Sequence, residues 1–208
     1  KPLFTGVCTA LVTPFLSGRV NYPMMEQLLA RQIESGITTV VIAGTTGEAP
    51  TLTDSEKLEL FLRAKEFAGD ACMIIAGTGS NDTSHAVRLS TAAENCGADA
   101  LLVVSPYYNK ANNAGLIAHY TAIARQVTLP IIIYNVPSRT GLDIPVSVYQ
   151  ALSEIPNIVG VKEASKSITK ITQIRNACPA GFSVWGGNDD LAVPVVSLGG
   201  QGLISVVS

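Results

Sequence analysis

Eight short runs of continuously apolar, mostly β-branched residues punctuate the chain: GVCTALVT, TTVVIAG, CMIIAG, DALLVVS, LPIIIYN, NIVGVKE, FSVWGG and GLISVV. Runs without alternation mark strands buried on both faces, the condition of a parallel sheet covered by helices. Segments of helical spacing lie between them: Met24-Met25-Leu28-Leu29-Ile33, Leu58-Phe61-Leu62-Ala64, Ala86-Leu89-Ala92-Ala93 and Ile117-Tyr120-Ile123-Ala124. Start and stop signals agree with this reading. TDSEK offers Thr53 or Asp54 as an N-cap with acidic residues in the first turn, and Gly36, Gly69, Gly97 and Pro130 fall between helix and next strand.

The repeat is the scale of a βαβ unit, and no Pro/Ser-rich linker interrupts it. With 47% hydrophobic and 14% charged residues, the 208 residues read as one domain, 1–208, with a large core. The count is eight strands and seven helices. Eight parallel strands favour a closed (β/α)8 TIM barrel of the α/β class over a doubly wound sheet. The doubly wound alternative wants a glycine-rich phosphate loop after its first strand, where this chain has Thr13-Pro14-Phe15. The last strand runs to the chain end, so the expected barrel lacks its eighth covering helix and is C-terminally incomplete.

Charge and cysteine usage exclude several classes. A net charge of −2 gives no electrostatic case for nucleic acid or an anionic membrane surface. No apolar stretch is long enough to span a bilayer. Cys8, Cys72, Cys96 and Cys178 are scattered, without a CxxC pair, so the expectation is a reducing cytoplasm and no disulfide framework.

In such barrels the chemistry sits at the C-terminal ends of the strands. Those positions read Gly44-Thr45-Thr46-Gly47-Glu48, Ser105-Pro106-Tyr107-Tyr108-Asn109, Tyr134 to Thr140, Lys162-Glu163-Ala164 and Gly186-Gly187-Asn188-Asp189. Hydroxyls, one lysine and one arginine collect there, with no histidine and no metal-binding carboxylate cluster. His85 and His119 fall in helical segments and read as surface or packing residues. The inventory suits covalent catalysis on a carbonyl compound without a cofactor or metal. Lys162 closes the apolar run Ile158-Val159-Gly160-Val161; desolvation there favours the neutral amine, which can attack a ketone. A strand-end lysine reaching water is an equally good reading of that position alone. Tyr134 is placed to shuttle protons, or to cap the barrel. Thr45 and Thr46 offer hydroxyl and backbone N–H donors to a carboxylate, or simply make a turn. Arg139 suits bidentate capture of a second carboxylate, or stays solvated in its loop.

GTTGE, SPYYNK, YNVPSRTG and GVKEAS, in this order and spacing, resemble the dihydrodipicolinate synthase family of the N-acetylneuraminate lyase superfamily, over the whole chain. The resemblance implies a (β/α)8 barrel with extra C-terminal helices. It implies condensation of pyruvate with L-aspartate semialdehyde in lysine biosynthesis, in a cytoplasmic homodimer or homotetramer. It assigns Lys162 to the imine with pyruvate. Tyr134, Thr45 and Tyr108 become the proton relay, with Tyr108 supplied by a neighbouring subunit. Thr46 is assigned to the pyruvate carboxylate and Arg139 to that of the semialdehyde, while Gly187 and Ile204 line the pyruvate pocket. Family members inhibited by lysine carry a glutamate where this chain has His85 and a histidine where it has Lys57, around Tyr107 and Asn81; poor inhibition by lysine is therefore expected. The competing readings are a sugar-acid aldolase such as N-acetylneuraminate lyase, which Arg139 and the Tyr107-Tyr108 pair disfavour, and a barrel without activity used for binding.

Overall fold

The computed structural model describes residues 1–207. In chain order the elements are β1 (Gly6–Ala10), β2 (Phe15–Leu16), β3 (Arg19–Val20), α1 (Tyr22–Glu34), β4 (Thr39–Ile42), α2 (Asp54–Ala68), β5 (Met73–Gly77), α3 (Thr83–Asn95), β6 (Ala100–Val104) and α4 (Asn113–Ala124). They continue with β7 (Ile131–Asn135), α5 (Pro137–Thr140), α6 (Val146–Leu152), β8 (Ile158–Glu163), α7 (Ile168–Ala177), β9 (Ser183–Gly186), α8 (Ala192–Ser197) and β10 (Gly202–Ser205). The eight apolar runs become the eight strands of a closed barrel, ordered β1-β10-β9-β8-β7-β6-β5-β4. Every neighbouring pair around it is parallel. Each strand-to-strand crossover carries a helix, and the one from β7 to β8 carries α5 and α6. No helix follows β10 among the described residues.

The helices begin and end where side-chain chemistry dictates. Thr53 caps α2 in a capping box: its hydroxyl accepts from the Glu56 N–H while the Glu56 carboxylate accepts from the Thr53 N–H at 2.9 Å. Asn21, Asp82, Asn112 and Ser167 cap α1, α3, α4 and α7 in the same sense. The hairpin β2–β3 is absent from the sequence reading. Two-residue strands are too short to carry a pattern, although Ser17-Gly18, both at positive φ, is a hairpin turn signal.

The core has two layers. Side chains pointing into the barrel, among them Cys8, Val41, Ile75, Leu102, Ile132, Trp185 and Ile204, fill its interior. Outward residues such as Ile131, Ile133 and Val161 pack beneath the helices. Phe4, just ahead of β1, stacks on Trp185 with ring centroids 4.7 Å apart, and its carbonyl accepts from the indole N–H at 3.2 Å. That plug leaves the opposite, C-terminal end of the barrel as the open one.

Candidate active site

β7 and β8 bring the principal residues together because Tyr134 and Lys162 are partners in register and both point inward. The Lys162 amine lies 4.6 Å from the centre of the Tyr134 ring. Lys162 is 4% exposed. Burial is the main reason that its ammonium form is disfavoured, and its pKa is lowered from 10.5 to about 8. Arg139 pushes in the same direction, while Cys8 and Asp189 favour the charged form. Of the two readings of this position, the strand-end lysine reaching water is thus not the one found. Gly187 accommodates the lysine stem: a Cβ there would lie 3.1 Å from Lys162 Cε and 2.8 Å from Ala164 Cβ.

Burial raises the pKa of Tyr134, and a hydrogen bond with the Thr45 side chain acts against it. The phenol therefore remains a proton donor at neutral pH. Thr45 sits in a tight turn. The Glu48 N–H donates to the Thr45 carbonyl at 3.1 Å, the Ala49 N–H to the Gly44 carbonyl at 3.2 Å, and the Thr13 hydroxyl to the Gly47 carbonyl at 2.7 Å. Ala43 and Glu48, on either side of Gly-Thr-Thr-Gly, both have left-handed backbone, a conformation that L-residues adopt at some cost. Thr46, beside Thr45 in this turn, is half-buried.

Arg139 stands in α5, exposed, four residues past the end of β7. A cavity of about 290 Å³ opens at this end of the barrel, with Thr45, Tyr134, Arg139, Tyr107, Lys57 and His85 on its wall. Lys162 is not part of that wall. Ile204 is fully buried in the barrel interior beside Cys8, its partner in register. Tyr108 is the residue that does not join the others: its side chain is 90% exposed, on a loop where both it and Lys110 have positive φ.

Two features escaped the sequence reading. Cys8 from β1 and Asp189 from the segment after β9 influence the Lys162 amine, and an apolar-run cysteine carries no local signal of that. A polar cluster of buried Asn135, Glu163, Tyr149 and Lys170, closed by the exposed Asp143, lies on the outer face of β7 and β8. The signal for it was present, since polar residues at outward positions of buried strands need partners. His119 is a buried packing residue, its pKa lowered to about 4 by burial, whereas His85 lines the cavity. Among the described residues no group of three or more His, Cys, Asp or Glu is placed to hold a metal ion. All four cysteines are free, and no helix of the described residues is long and apolar enough to cross a membrane.

Comparison with known proteins agrees with this geometry. The chain is 47% identical over 208 residues to the 4-hydroxy-tetrahydrodipicolinate synthase of Acetivibrio thermocellus, covering all of this chain and 70% of that protein. The enzyme of the same name from Thermoanaerobacter sp. matches equally, at 47% over the same share of each chain. Among solved structures, a dihydrodipicolinate synthase from Bacillus anthracis superposes with a TM-score of 0.97 at 38% identity, over 100% of this chain and 71% of that one. The Cyanidioschyzon merolae enzyme, solved with lysine bound, gives 0.96 at 44% identity over the same shares. The model of the dihydrodipicolinate synthetase family matches residues 3–208, and the chain belongs to that family.

Proposed function

We propose that this chain is a 4-hydroxy-tetrahydrodipicolinate synthase, a Schiff-base lyase that condenses pyruvate with L-aspartate semialdehyde in lysine biosynthesis. The observation that carries the reading is the buried Lys162 amine, 4.6 Å from the Tyr134 ring and in register with it. The neutral amine attacks the pyruvate ketone, and loss of water leaves an imine. Tyr134, hydrogen-bonded to Thr45, carries the protons of the carbinolamine, imine and enamine steps. The enamine carbon then adds to the aldehyde of the second substrate, and the amino group of that substrate displaces Lys162 as the ring closes. Thr46 holds the pyruvate carboxylate, Arg139 holds that of the semialdehyde, and Gly187 and Ile204 shape the pyruvate pocket. Tyr108 completes the relay from a neighbouring subunit of a homodimer or homotetramer; its exposure in the single chain suits that role. The setting is the cytoplasm. Turnover of pyruvate plus L-aspartate semialdehyde tests the assignment, and cleavage of N-acetylneuraminate in its place would redirect it to the sugar-acid aldolases.

The low pKa of Lys162 gives this activity a pH signature. At pH 7 roughly one amine in ten is neutral, against roughly one in 3,000 for a lysine of ordinary pKa. The neutral form grows as pH rises, so the rate of borohydride trapping with pyruvate should climb through pH 8 and level off above it. A rate that keeps rising to pH 10 would contradict the desolvated amine.

Lysine should inhibit poorly. The cavity wall includes Lys57 and His85 and no Asp or Glu among the described residues. The Asp54 carboxylate accepts from His85 Nε2 at 2.8–2.9 Å and lies 3.8 Å from Lys57. An arriving diamino acid meets like charge and no free carboxylate partner, a loss of about 1.5–3 kcal/mol per charged hydrogen bond and at least roughly tenfold in affinity. Turnover at saturating pyruvate, with lysine titrated to millimolar levels, checks this; half-inhibition below millimolar would overturn it.

A further inference from the structure

The strands that carry Tyr134 and Lys162 are joined on their opposite face by polar side chains that the chemistry above does not use. Outward positions of β7 and β8 hold apolar residues (Ile131, Ile133, Val161) until the last pair, Asn135 and Glu163. These two are 0% and 3% exposed and stand opposite each other in register. Asn135 Nδ2 donates to the two Glu163 carboxylate oxygens at 2.9 and 3.1 Å and to Asp143 at 2.8 Å. Glu163 also accepts from the Tyr149 hydroxyl at 3.1 Å and the Ser165 N–H at 2.8 Å, and Asn135 Oδ1 accepts from the Ile144 N–H at 3.1 Å. Lys170 pairs with Asp143 at the edge of the cluster. An apolar pair of similar volume would be cheaper to bury than a carboxylate. What it could not do is select a single pairing of the strands.

That selection matters here because the β7–β8 ladder is irregular lower down. Ile131 faces Ile158, but the next residue, Ile132, faces Gly160. Register at the catalytic end is therefore not inherited from the base of the barrel. A slip of one residue would turn Lys162 outward and Glu163 inward. We propose that Asn135 and Glu163 are a positioning pair, which fixes Lys162 opposite Tyr134 by locking the strand ends one residue beyond each. The proposal rests on Lys162 being the imine-forming residue.

The charged and titratable groups acting on the Lys162 amine are Cys8 from β1, Arg139 from α5 and Asp189 after β9, with the Tyr134 ring of β7 against it. Glu163 points to the opposite face of β8 from the amine, so its replacement reaches the amine through the placement of the strand. The test uses the full chain at 25 °C, with rates expressed per site titrated by pyruvate and borohydride. Glu163→Ala should lower turnover per site by roughly tenfold or more, because a displaced reacting group loses its near-attack placement. The pH midpoint of imine trapping should rise by about one pH unit, as the amine regains solvent. Glu163→Gln, which keeps an acceptor for Asn135 and Ser165, should restore both to within about threefold. A lower melting temperature with unchanged rate and midpoint per site would overturn the proposal, since a merely structural cluster gives that result. If Glu163→Ala does not fold, Tyr149→Phe decides: it removes one donor to Glu163 and keeps the ring. It should slow turnover about threefold and move the midpoint upward; no change in either overturns the proposal. Absence of any adduct in the unaltered chain would instead overturn the role of Lys162.

Discussion

Replacing Lys162 by methionine should abolish the pyruvate adduct and lower turnover by roughly a thousandfold or more, about 4 kcal/mol in the barrier, while the fold survives. A covalent imine requires an amine, and among the described residues the other buried lysines, Lys57 of α2 and Lys170 of α7, stand on helices and not on a barrel strand. Methionine is the better test than alanine. It fills most of the volume of the lysine stem, against Gly187, so a cavity does not confound the result. Stability should hold or rise, because a buried cation whose pKa is depressed opposes folding below that pKa. The sign follows from linkage. The unfolded chain binds a proton more tightly than the folded one, so this opposition is greatest at acidic pH and fades as pH rises from about 8 towards the ordinary lysine value. Mass spectrometry after borohydride, with thermal melting at pH 7, reads both effects. A methionine variant that still gains pyruvate mass would remove Lys162 from the mechanism.

Arg139→Ala should damage use of the semialdehyde and spare imine formation with pyruvate. A guanidinium–carboxylate contact contributes about 1.5–3 kcal/mol, which is roughly 10- to 100-fold in kcat/KM for the second substrate. Arg139 is exposed on the cavity wall, so the effect should shrink as salt is added. Arg139→Lys should recover only part of it, because an ammonium cannot make the paired planar contact. Steady-state kinetics in each substrate, alongside trapping with pyruvate alone, separates the cases. An equal loss in trapping would assign Arg139 to the first substrate or to the amine, which it also influences electrostatically.

The sequence was legible where local chemistry decides the outcome. The apolar runs had to be buried on both faces, and all eight became barrel strands. Thr53 had to satisfy the first turn of α2, and it caps it. Strand-end position also brought Thr45, Tyr134, Arg139, Gly187 and Lys162 to one end of the barrel. Legibility was lost where long-range placement decides. The depressed pKa of Lys162 depends on how tightly the barrel closes around it, which a run of valines and isoleucines suggests but does not quantify. Cys8 and Asp189 come to act on that amine only through barrel closure, across intervals of more than 150 and about 30 residues. Glu163 was visible beside Lys162, but its outward direction follows from alternation, its partner Asn135 from the β7–β8 register and its partner Tyr149 from the packing of α6. The helical phases were also slightly misread: Met24 and Leu62 fit the apolar spacing yet are 40% and 39% exposed.

The central claim is that Lys162 forms an imine with pyruvate in this protein. Its most direct test is to incubate the unaltered chain with pyruvate, reduce with borohydride, digest, and locate the added mass by peptide sequencing. The account predicts one pyruvate-derived adduct per chain, on the peptide that carries Val161-Lys162-Glu163. An adduct on any other lysine, or none at all in a folded protein, would contradict it.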